Sequence, residues 1–251
     1  MSAPTVSVIV VTRDRPALLA DALASVAAQR PAPLEVRLAD DGDGSAAPVA
    51  EALPLLELTL VHPGAGRAAT ARNAAARGAR GEVLAFLDDD DRWLPGHLAG
   101  LAGAFADPAV GFAWRDSRVV RERVTGEGAR EELEAVTLAA DWDEHWMRTN
   151  DYLPPSAWGV RRTLFEALGG FDESFASSED WDFVLRAAAA SRVARVPGVT
   201  VEIRVREQGN ASADFGPARR ACLDQLAARH GLPALEPRTF WEVARAMEAR
   251  T

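Results

Sequence analysis

Residues 83–91 read VLAFLDDDD, a short apolar run followed at once by four aspartates. The apolar part, residues 83–87, has the length and composition of a β-strand buried on both faces of a sheet. Four adjacent carboxylates repel one another by about 1 kcal/mol per close pair even in water. A solvated acidic loop is one interpretation, but the position directly after a buried strand favours a site for a divalent cation.

Strands and helices alternate before this acidic run. Apolar or β-branched segments predict three upstream strands, at residues 6–11, 34–39 and 55–61. Such alternation predicts a parallel sheet with right-handed crossovers, in which ligands bind outside the carboxyl ends of the strands. We therefore expect three polar clusters to meet at one edge of the sheet, namely residues 12–15, 40–43 and 88–91.

The second half of the sequence is less regular. Residues 110–114 and 117–121 predict two short strands, and the charged residues 124–135 predict a mobile loop. Residues 179–190 predict a clear helix, and another helix is expected to open at Trp93, just after the acidic run.

Composition excludes several classes of function. The net charge of −9 argues against a nucleic-acid partner, because binding a phosphate backbone needs a basic face. All 28 basic residues are arginine, so lysine-dependent phosphate loops and Schiff bases are excluded. The single Cys222 permits no internal disulfide and fits a reducing compartment. We expect a cytoplasmic protein, since no signal peptide and no transmembrane segment of ~18 apolar residues is found.

Four blocks of the sequence, taken in order, resemble family 2 glycosyltransferases of the GT-A fold. They are VSVIVVTRDRP, LEVRLADDGDGS, GRAATARNAAARGARGEVLAFLDDDDRWLP and GGFDESFASSEDWDFVLRAA. The resemblance implies a three-layer α/β/α sandwich with a mostly parallel mixed sheet. It also implies transfer of a sugar, with inversion, from a nucleotide-diphosphate sugar to an acceptor hydroxyl. A UDP-sugar is the favoured donor.

The same resemblance implies a domain organisation. We expect one glycosyltransferase domain over residues 1–212, followed by a C-terminal helical appendage at 213–251. Within the domain, residues 1–107 form the nucleotide-binding half. Residues 108–212 form the acceptor-binding half, which carries the catalytic base.

Roles at the carboxyl edge of the sheet also follow from the resemblance. The first aspartate of the ADDG block, Asp40, is the residue expected to contact the nucleoside base. Asp90 is expected to be the principal ligand of a divalent metal, Mn²⁺ or Mg²⁺, with Asp91 as a supporting residue. The residues implied in nucleotide binding are Thr12, Arg15, Asp40, Arg67, Asp88 and Asp89.

Asp180 matches the general base of the family, and its neighbour Glu179 is a supporting residue. An inverting transfer needs a carboxylate that takes the proton of the acceptor hydroxyl as its oxygen attacks. The metal stabilises the leaving diphosphate, so no protein acid is needed there. Without the family, Asp180 is a carboxylate that complements a helix dipole. Asp182 and Arg186, four residues apart, predict an ion pair on the same helix.

Two positions depart from the family pattern. Arg206 stands where many members have a histidine that can bind the metal, and an arginine cannot coordinate a cation. Either the diphosphate and water complete the metal shell, or Arg206 itself neutralises phosphate charge. Asp14 stands where the family usually has asparagine.

The acceptor is not specified by any motif. Trp142, Trp146 and Trp158 are candidates for stacking on an acceptor sugar, although tryptophan is also common in protein cores. The expected acceptor is a sugar, a glycan or a lipid-linked molecule, and a lipid-linked acceptor would bring the protein into peripheral contact with a membrane.

Two other classes of function are compatible with parts of the sequence. Residues 64–69, GAGRAA, come close to the dinucleotide-binding pattern G-x-G-x-x-A, which would indicate an oxidoreductase. They follow the third predicted strand, however, whereas that pattern belongs after the first. A catalytically inactive protein that binds nucleotide-sugars would share the donor-binding residues but release no nucleotide.

Overall fold

The computed structural model describes residues 3–53, 57–64, 66–124, 130–206 and 215–250. Its first half alternates strands with helices, as the sequence predicts. The elements are β1 (Val6–Thr12), α1 (Pro16–Ala27), β2 (Glu35–Asp40), α2 (Ala46–Glu51), β3 (Leu58–Val61), α3 (Ala68–Ala76), β4 (Val83–Asp88), β5 (Arg92–Trp93) and α4 (His97–Ala104). Part of the predicted third strand, residues 55 and 56, lies outside the described residues.

The second half contains longer strands and the remaining helices. These elements are β6 (Val110–Val124), β7 (Arg130–Leu138), α5 (Glu144–Met147), β8 (Trp158–Arg161), α6 (Arg162–Ala167), α7 (Glu179–Ala190), β9 (Arg192–Arg206), α8 (Pro217–His230) and α9 (Phe240–Glu248). A short 3-10 helix at Pro155–Ala157 precedes β8.

All of these strands belong to one mixed sheet in the order β3-β2-β1-β4-β8-β6-β9-β5, with β7 paired to β6. The first four strands are parallel to one another, so their carboxyl ends share one edge. β8 runs antiparallel between β4 and β6, whereas β6 and β9 are parallel. The predicted α/β class with a mixed sheet is therefore confirmed.

β6 corrects two predictions for the irregular half. The two short strands predicted at 110–114 and 117–121 are one strand of 15 residues. The polar residue between the two predicted strands is Asp116, which is only 4% exposed. The hydrogen bonds that it accepts from Arg195 and from the backbone of Gly198 compensate for its burial. The pairing with β9 shifts register at this point.

β7 corrects the loop predicted at 124–135, of which residues 125–129 lie outside the described residues. Arg130–Leu138 forms a strand that pairs antiparallel with β6. Most of its first residues are exposed and charged, so their composition resembles that of a loop. The backbone pairing with β6 stabilises the strand, and a sequence pattern does not show that pairing.

The helix predicted to open at Trp93 begins later, at His97. Arg92 and Trp93 instead pair with β9, and Trp93 is buried with its indole nitrogen donating to the carbonyl oxygen of Ser156. Gly96 has a φ of 86°, a conformation that favours glycine, and it separates this strand from α4.

The core lies between the sheet and the helices packed on it. Its aromatic centre is Trp158, which stacks on Phe183 of α7 and also contacts Phe86 of β4. Apolar residues of α8 and α9 join the same core, including Leu223 and Met247. Residue 213, the predicted start of the C-terminal appendage, lies outside the described residues. Within the part of the chain that is described, no helix is long and apolar enough to cross a membrane.

Candidate active site at the carboxyl edge of the sheet

Asp89 joins the loop after β1 to the loop after β4. Thr12 donates its hydroxyl proton to Asp89 Oδ2 at 2.6 Å, and Arg15 pairs with Asp89 Oδ1 at 2.6 Å. Burial raises the pKa of Asp89 to about 7, although the nearby Arg15 acts in the opposite direction. The two sequence clusters that contain these residues do therefore meet at one edge of the sheet.

Asp90 and Asp91 have different surroundings although they are adjacent. Asp90 Oδ2 accepts hydrogen bonds from Arg15 at 3.1 Å and from Arg206 at 2.8 Å, and about a fifth of its side chain is exposed. Asp91 is buried, where it accepts from the hydroxyl of Ser156 at 2.5 Å and from the backbone of Arg204 at 3.0 Å. Burial raises the pKa of Asp91 well above its usual range.

Asp88 is connected to the start of α7 by a buried arginine, Arg72 of α3. One guanidinium nitrogen contacts Asp88 Oδ1 at 2.7 Å, and another contacts Glu179 Oε1 at 2.6 Å. Only 6% of the Arg72 side chain is exposed, so the ion pair with Glu179 is shielded from water, whereas about a quarter of the Asp88 side chain stays exposed (26%). Arg72 thereby fixes the distance between the acidic run and the start of α7.

Asp180 lies at the start of α7 with its carboxylate on the cavity side of the helix. Its Oδ1 accepts a hydrogen bond from the backbone N–H of Trp181 at 2.9 Å. Ser178, the residue just before α7, has a φ of 64°, a strained conformation of the kind that functional sites often contain. Burial raises the pKa of Asp180, although Arg72 acts against the shift. A carboxylate with a raised pKa is a stronger proton acceptor.

One cavity of about 310 Å³ joins these elements. Its lining includes Asp88 and Asp90 from the acidic run, Arg72, and Asp180 with its neighbours on α7. Residues of α8 and α9 also line it. The volume lies at the lower end of the range for small-molecule sites. The predicted metal-binding carboxylate and the predicted base therefore share one cavity.

Two predicted nucleotide-binding residues lie apart from this ion-pair cluster. Asp40 is buried, and its two oxygens accept from the backbone N–H groups of Gly42 at 3.0 Å and Ala46 at 3.1 Å. Asp40 thus orders the loop after β2. Arg67, which is exposed, donates to the carbonyl oxygen of Glu173 at 2.9 Å.

The loops after β1 and β2 are also in close contact. Asp14 has a φ of 54° and accepts a hydrogen bond from the backbone of Asp43 at 2.8 Å. Asparagine and aspartate tolerate this left-handed conformation better than most residues, which accounts for Asp14 in place of asparagine. A Cβ on Gly42 would lie 2.1 Å from the Asp14 carboxylate, so the approach requires glycine.

The three tryptophans predicted to stack on an acceptor do not line this cavity. Trp158 is completely buried in the aromatic core, so the structure gives it a packing role in place of the predicted acceptor contact. Trp142 packs edge-on against Trp114 and borders a separate, open depression with Met247. Trp146 is covered by the guanidinium of Arg250 at 4.8 Å.

Sequence reasoning missed several residues of the cavity. Arg72 carried a usable signal, because it interrupts the small apolar face that Ala69 and Ala76 form on α3, and a buried charge needs a partner. Asp151 and Arg219 lie in segments with no motif. Burial, together with the charge of Asp180, raises the pKa of Asp151 well above its usual range. The predicted ion pair between Asp182 and Arg186 is confirmed, at 2.7 Å.

The carboxylates of the cavity are suited to a metal ion only if a bound substrate supplies further ligands to it. Within the described residues, no group of three or more histidines, cysteines or acids is arranged to hold an ion alone. Mg²⁺, however, is commonly bound by one or two carboxylates together with substrate phosphates. Asp88 and Asp90, which both line the cavity, fit a cation that arrives with a diphosphate.

Comparison with solved structures places the fold in the GT-A class. The chain superposes on TarS of S. aureus, solved in complex with UDP-GlcNAc, with a TM-score of 0.67 and 21% identity over 97% of this chain and 71% of that one. It also superposes on the mannosyltransferase PcManGT of Pyrobaculum calidifontis, solved in complex with GDP-Man and Mn²⁺. The TM-score is 0.63, with 24% identity over 98% of this chain and 69% of that one.

Sequence comparison then gives the family. Residues 7–169 match the model of glycosyl transferase family 2. The chain is 33% identical over 239 residues to the uncharacterized glycosyltransferase YwdF of Bacillus subtilis (strain 168), covering 94% of this chain and 87% of that one. It is 33% identical over 132 residues to the pre-mycofactocin glycosyltransferase of Mycobacterium tuberculosis, covering 51% of this chain and 27% of that one. The chain therefore belongs to glycosyl transferase family 2 and is a glycosyltransferase, which leaves the oxidoreductase alternative without support.

Proposed function

We propose that this glycosyltransferase takes its sugar from a nucleotide-diphosphate sugar, with UDP-sugars favoured, and transfers it with inversion to an acceptor hydroxyl. The observation that carries the proposal is the single cavity that contains both the acidic strand end and Asp180. The two similar structures, solved with UDP-GlcNAc and with GDP-Man, support a donor of this class.

Asp180 is the general base in this mechanism. As the acceptor oxygen attacks the anomeric carbon, its proton passes to the Asp180 carboxylate, and the bond from that carbon to the diphosphate oxygen breaks on the opposite face. Burial raises the pKa of Asp180, which strengthens it as a base. Glu179 supports the base by its ion pair with Arg72.

The donor lies along the carboxyl edge of β1, β2 and β4. Thr12, Arg15, Asp40, Arg67, Asp88 and Asp89 are proposed to bind its nucleotide. Arg206 contributes positive charge for the diphosphate, since it reaches the same oxygen of Asp90 as Arg15 does. Asp90, together with Asp88, would hold Mn²⁺ or Mg²⁺. When bound, the ion would neutralise charge on the leaving diphosphate.

The division of the chain follows from these roles. Residues 1–107 are proposed to bind the nucleotide, and residues 108–212 to supply the base and part of the acceptor site. The acceptor carries a free hydroxyl, on a sugar, a glycan or a lipid-linked molecule. We place the reaction in the cytoplasm, where a single free cysteine stays reduced.

Calorimetry with UDP, dTDP and GDP, each with and without Mn²⁺, tests the donor assignment. We expect at least one of these nucleotides to bind about tenfold more tightly with Mn²⁺, and Asp90→Asn to abolish that gain because it removes a charged ligand. Asp224→Asn, which changes an exposed carboxylate on α8, is the matched control and keeps the gain.

Equal affinity with and without Mn²⁺ in all three proteins would contradict the metal assignment. Turnover is measured in parallel as nucleotide released from UDP-GlcNAc, UDP-glucose and GDP-mannose. Tight nucleotide binding with no release from any donor would favour the inactive, nucleotide-sugar-binding alternative.

A further inference from the structure

The cavity beside Asp180 has a wall that lies outside the part of the chain matched by the family model. That match ends at residue 169, whereas α8, α9 and the segment between them also line the cavity. Their lining residues are Arg219, Leu223, Glu236, Arg238, Phe240 and Val243. With Asp88 and Asp90 placed on the donor side, this wall faces the space that remains for an acceptor.

Contacts with α7 and with the segment before β8 hold this wall in place. His230, at the end of α8, lies 2.9 Å from Asp182 Oδ1 on α7. Arg238 donates to Asn150 Oδ1 at 3.1 Å. Leu223 and Val243 are 1% and 5% exposed, so their helices pack into the core of the molecule. The wall is therefore an ordered part of the cavity, fixed by hydrogen bonds and by packing.

The polar groups of this wall and of the residues around Asp180 include hydrogen-bond acceptors and hydrogen-bond donors that have no partner among the described residues. Ser177 Oγ and Arg219 Nε are buried without a hydrogen-bond partner among the described residues. The carboxyl groups of Asp151 and Asp180 line the same cavity and can accept hydrogen bonds. A hydroxyl group can donate to a carboxylate and accept from Ser177 or Arg219, so it satisfies both kinds of partner.

Charge argues against an acidic acceptor unit in this cavity. The lining of this cavity holds seven acidic residues and four arginines, so a phosphate or carboxylate near Glu179 and Asp180 would meet an excess of like charge, which is unfavourable at low solvent exposure. A neutral unit avoids that repulsion. Phe240 and Pro154 add apolar surface, against which the C–H face of a sugar ring can pack.

We propose that α8 and α9 form the acceptor subsite and that this subsite takes a neutral, polyhydroxylated sugar unit, held by Arg219 and Ser177 and packed against Phe240. The proposal rests on the proposed function, in which Asp180 accepts the proton of the acceptor hydroxyl. It assigns the specificity for the acceptor to a C-terminal segment that the family model does not cover.

Saturation-transfer NMR on the full chain, with UDP or GDP and Mn²⁺ present, tests the proposal. The probes are methyl α-glucoside, methyl β-galactoside, methyl α-mannoside and, as the acidic counterpart, glucose 6-phosphate. We expect at least one methyl glycoside to receive saturation, with a signal that falls about fivefold in Arg219→Ala through loss of its hydrogen bond. Arg245→Ala, a change on α9 at a guanidinium that is 60% exposed and does not line the cavity, keeps the signal.

Three results would overturn the proposal: no signal from any methyl glycoside on the unaltered protein, an unchanged signal in both Arg219→Ala and Phe240→Ala, or binding of glucose 6-phosphate alone. Circular dichroism checks folding, and Arg219→Ala carries the test if Phe240→Ala unfolds. Nucleotide titration of the same samples separates this question from the donor assignment. A saturation-transfer signal from a methyl glycoside without any nucleotide binding would contradict the proposed donor but would still support the acceptor subsite.

Discussion

The acidic run after β4 and the acidic start of α7 are both dense in negative charge, but they are neutralised in different ways. Arginines from the loop after β1, from α3 and from the end of β9 reach the run, and together they pair with Asp88, Asp89 and Asp90. At α7, arginines pair with Glu179 and Asp182 on either side of Asp180. The hydrogen bond described for Asp180 itself comes from a neighbouring backbone N–H. The carboxylates of the run are thus neutralised directly by arginines, whereas Asp180, the proposed base, accepts a backbone hydrogen bond and feels the charge of the nearby Arg72.

The largest expected effect is that of Asp180→Asn. An amide of the same shape cannot take the acceptor proton, so turnover should fall about a thousandfold, while calorimetric nucleotide affinity stays within about twofold. Steady-state release of UDP or GDP measures the first quantity. A loss of nucleotide affinity in place of turnover would move Asp180 into the donor site.

Asp182→Asn is the matched comparison on the same helix. Asp182 is fully buried and bound by Arg186, Arg229 and His230, so its charge serves the structure of α7. We expect this variant to melt at a lower temperature while turnover per folded molecule falls far less than in Asp180→Asn. Equal losses of turnover in both variants would erase the distinction drawn between the two carboxylates.

Arg72→Met is expected to have the next largest effect, on stability. Its removal leaves Asp88 and Glu179 without the buried cation that both contact, which costs roughly 3–5 kcal/mol of unfolding free energy. Urea unfolding followed by circular dichroism measures the change. Arg67→Met, at an exposed arginine five positions earlier, is the control and should change the free energy by less than about 0.5 kcal/mol.

The same variant has a second, independent readout in the pH profile of turnover. Arg72 holds down the pKa of Asp180 against the effect of burial. Without Arg72 that pKa rises further, Asp180 is protonated over a wider range, and turnover is lost at a higher pH as the solution is acidified. A profile that does not move would show that Arg72 acts on the fold alone.

The smallest expected effect is that of Trp142→Ala, because Trp142 borders a different depression from the cavity of Asp180. Its loss should change the KM for the acceptor by less than about twofold, the usual scale for a residue that touches no ligand. Phe240→Ala, in the cavity wall, provides the contrast. A larger KM change for Trp142→Ala than for Phe240→Ala would place the acceptor at the depression beside Trp142.

The meeting of the ends of β1 and β4 could be predicted from the sequence because its signals are local. β1 and β4 are continuous apolar runs, and each polar cluster directly follows its strand, so topology alone brings Thr12 and Asp89 together. β7 could not be predicted from the sequence in this way. Its exposed, charged residues resemble a loop, and only pairing with β6 makes them a strand.

The wall of the cavity formed by α8 and α9 was harder to predict because its contacts join distant parts of the chain. Asp151 and Arg219 lie in no motif and line the cavity only after α8 packs against the core. Trp158 shows the opposite case. Its sequence position between the two halves fitted an acceptor contact, but aromatic packing against Phe183 buries it completely. Burial of this kind depends on the tertiary structure and is not encoded in spacing.

The place of β8 between β4 and β6 has a practical consequence for dissecting this enzyme. Residues 83–85 of β4 pair with residues 159–161, so the two halves share one continuous ladder of backbone hydrogen bonds. A fragment that stops at residue 107 would keep β4 and its neighbour β1 but lose β8 on the other side, and an unpaired strand edge promotes aggregation. Split or truncated versions cut at that position would therefore precipitate, and a working minimal version must retain the second half.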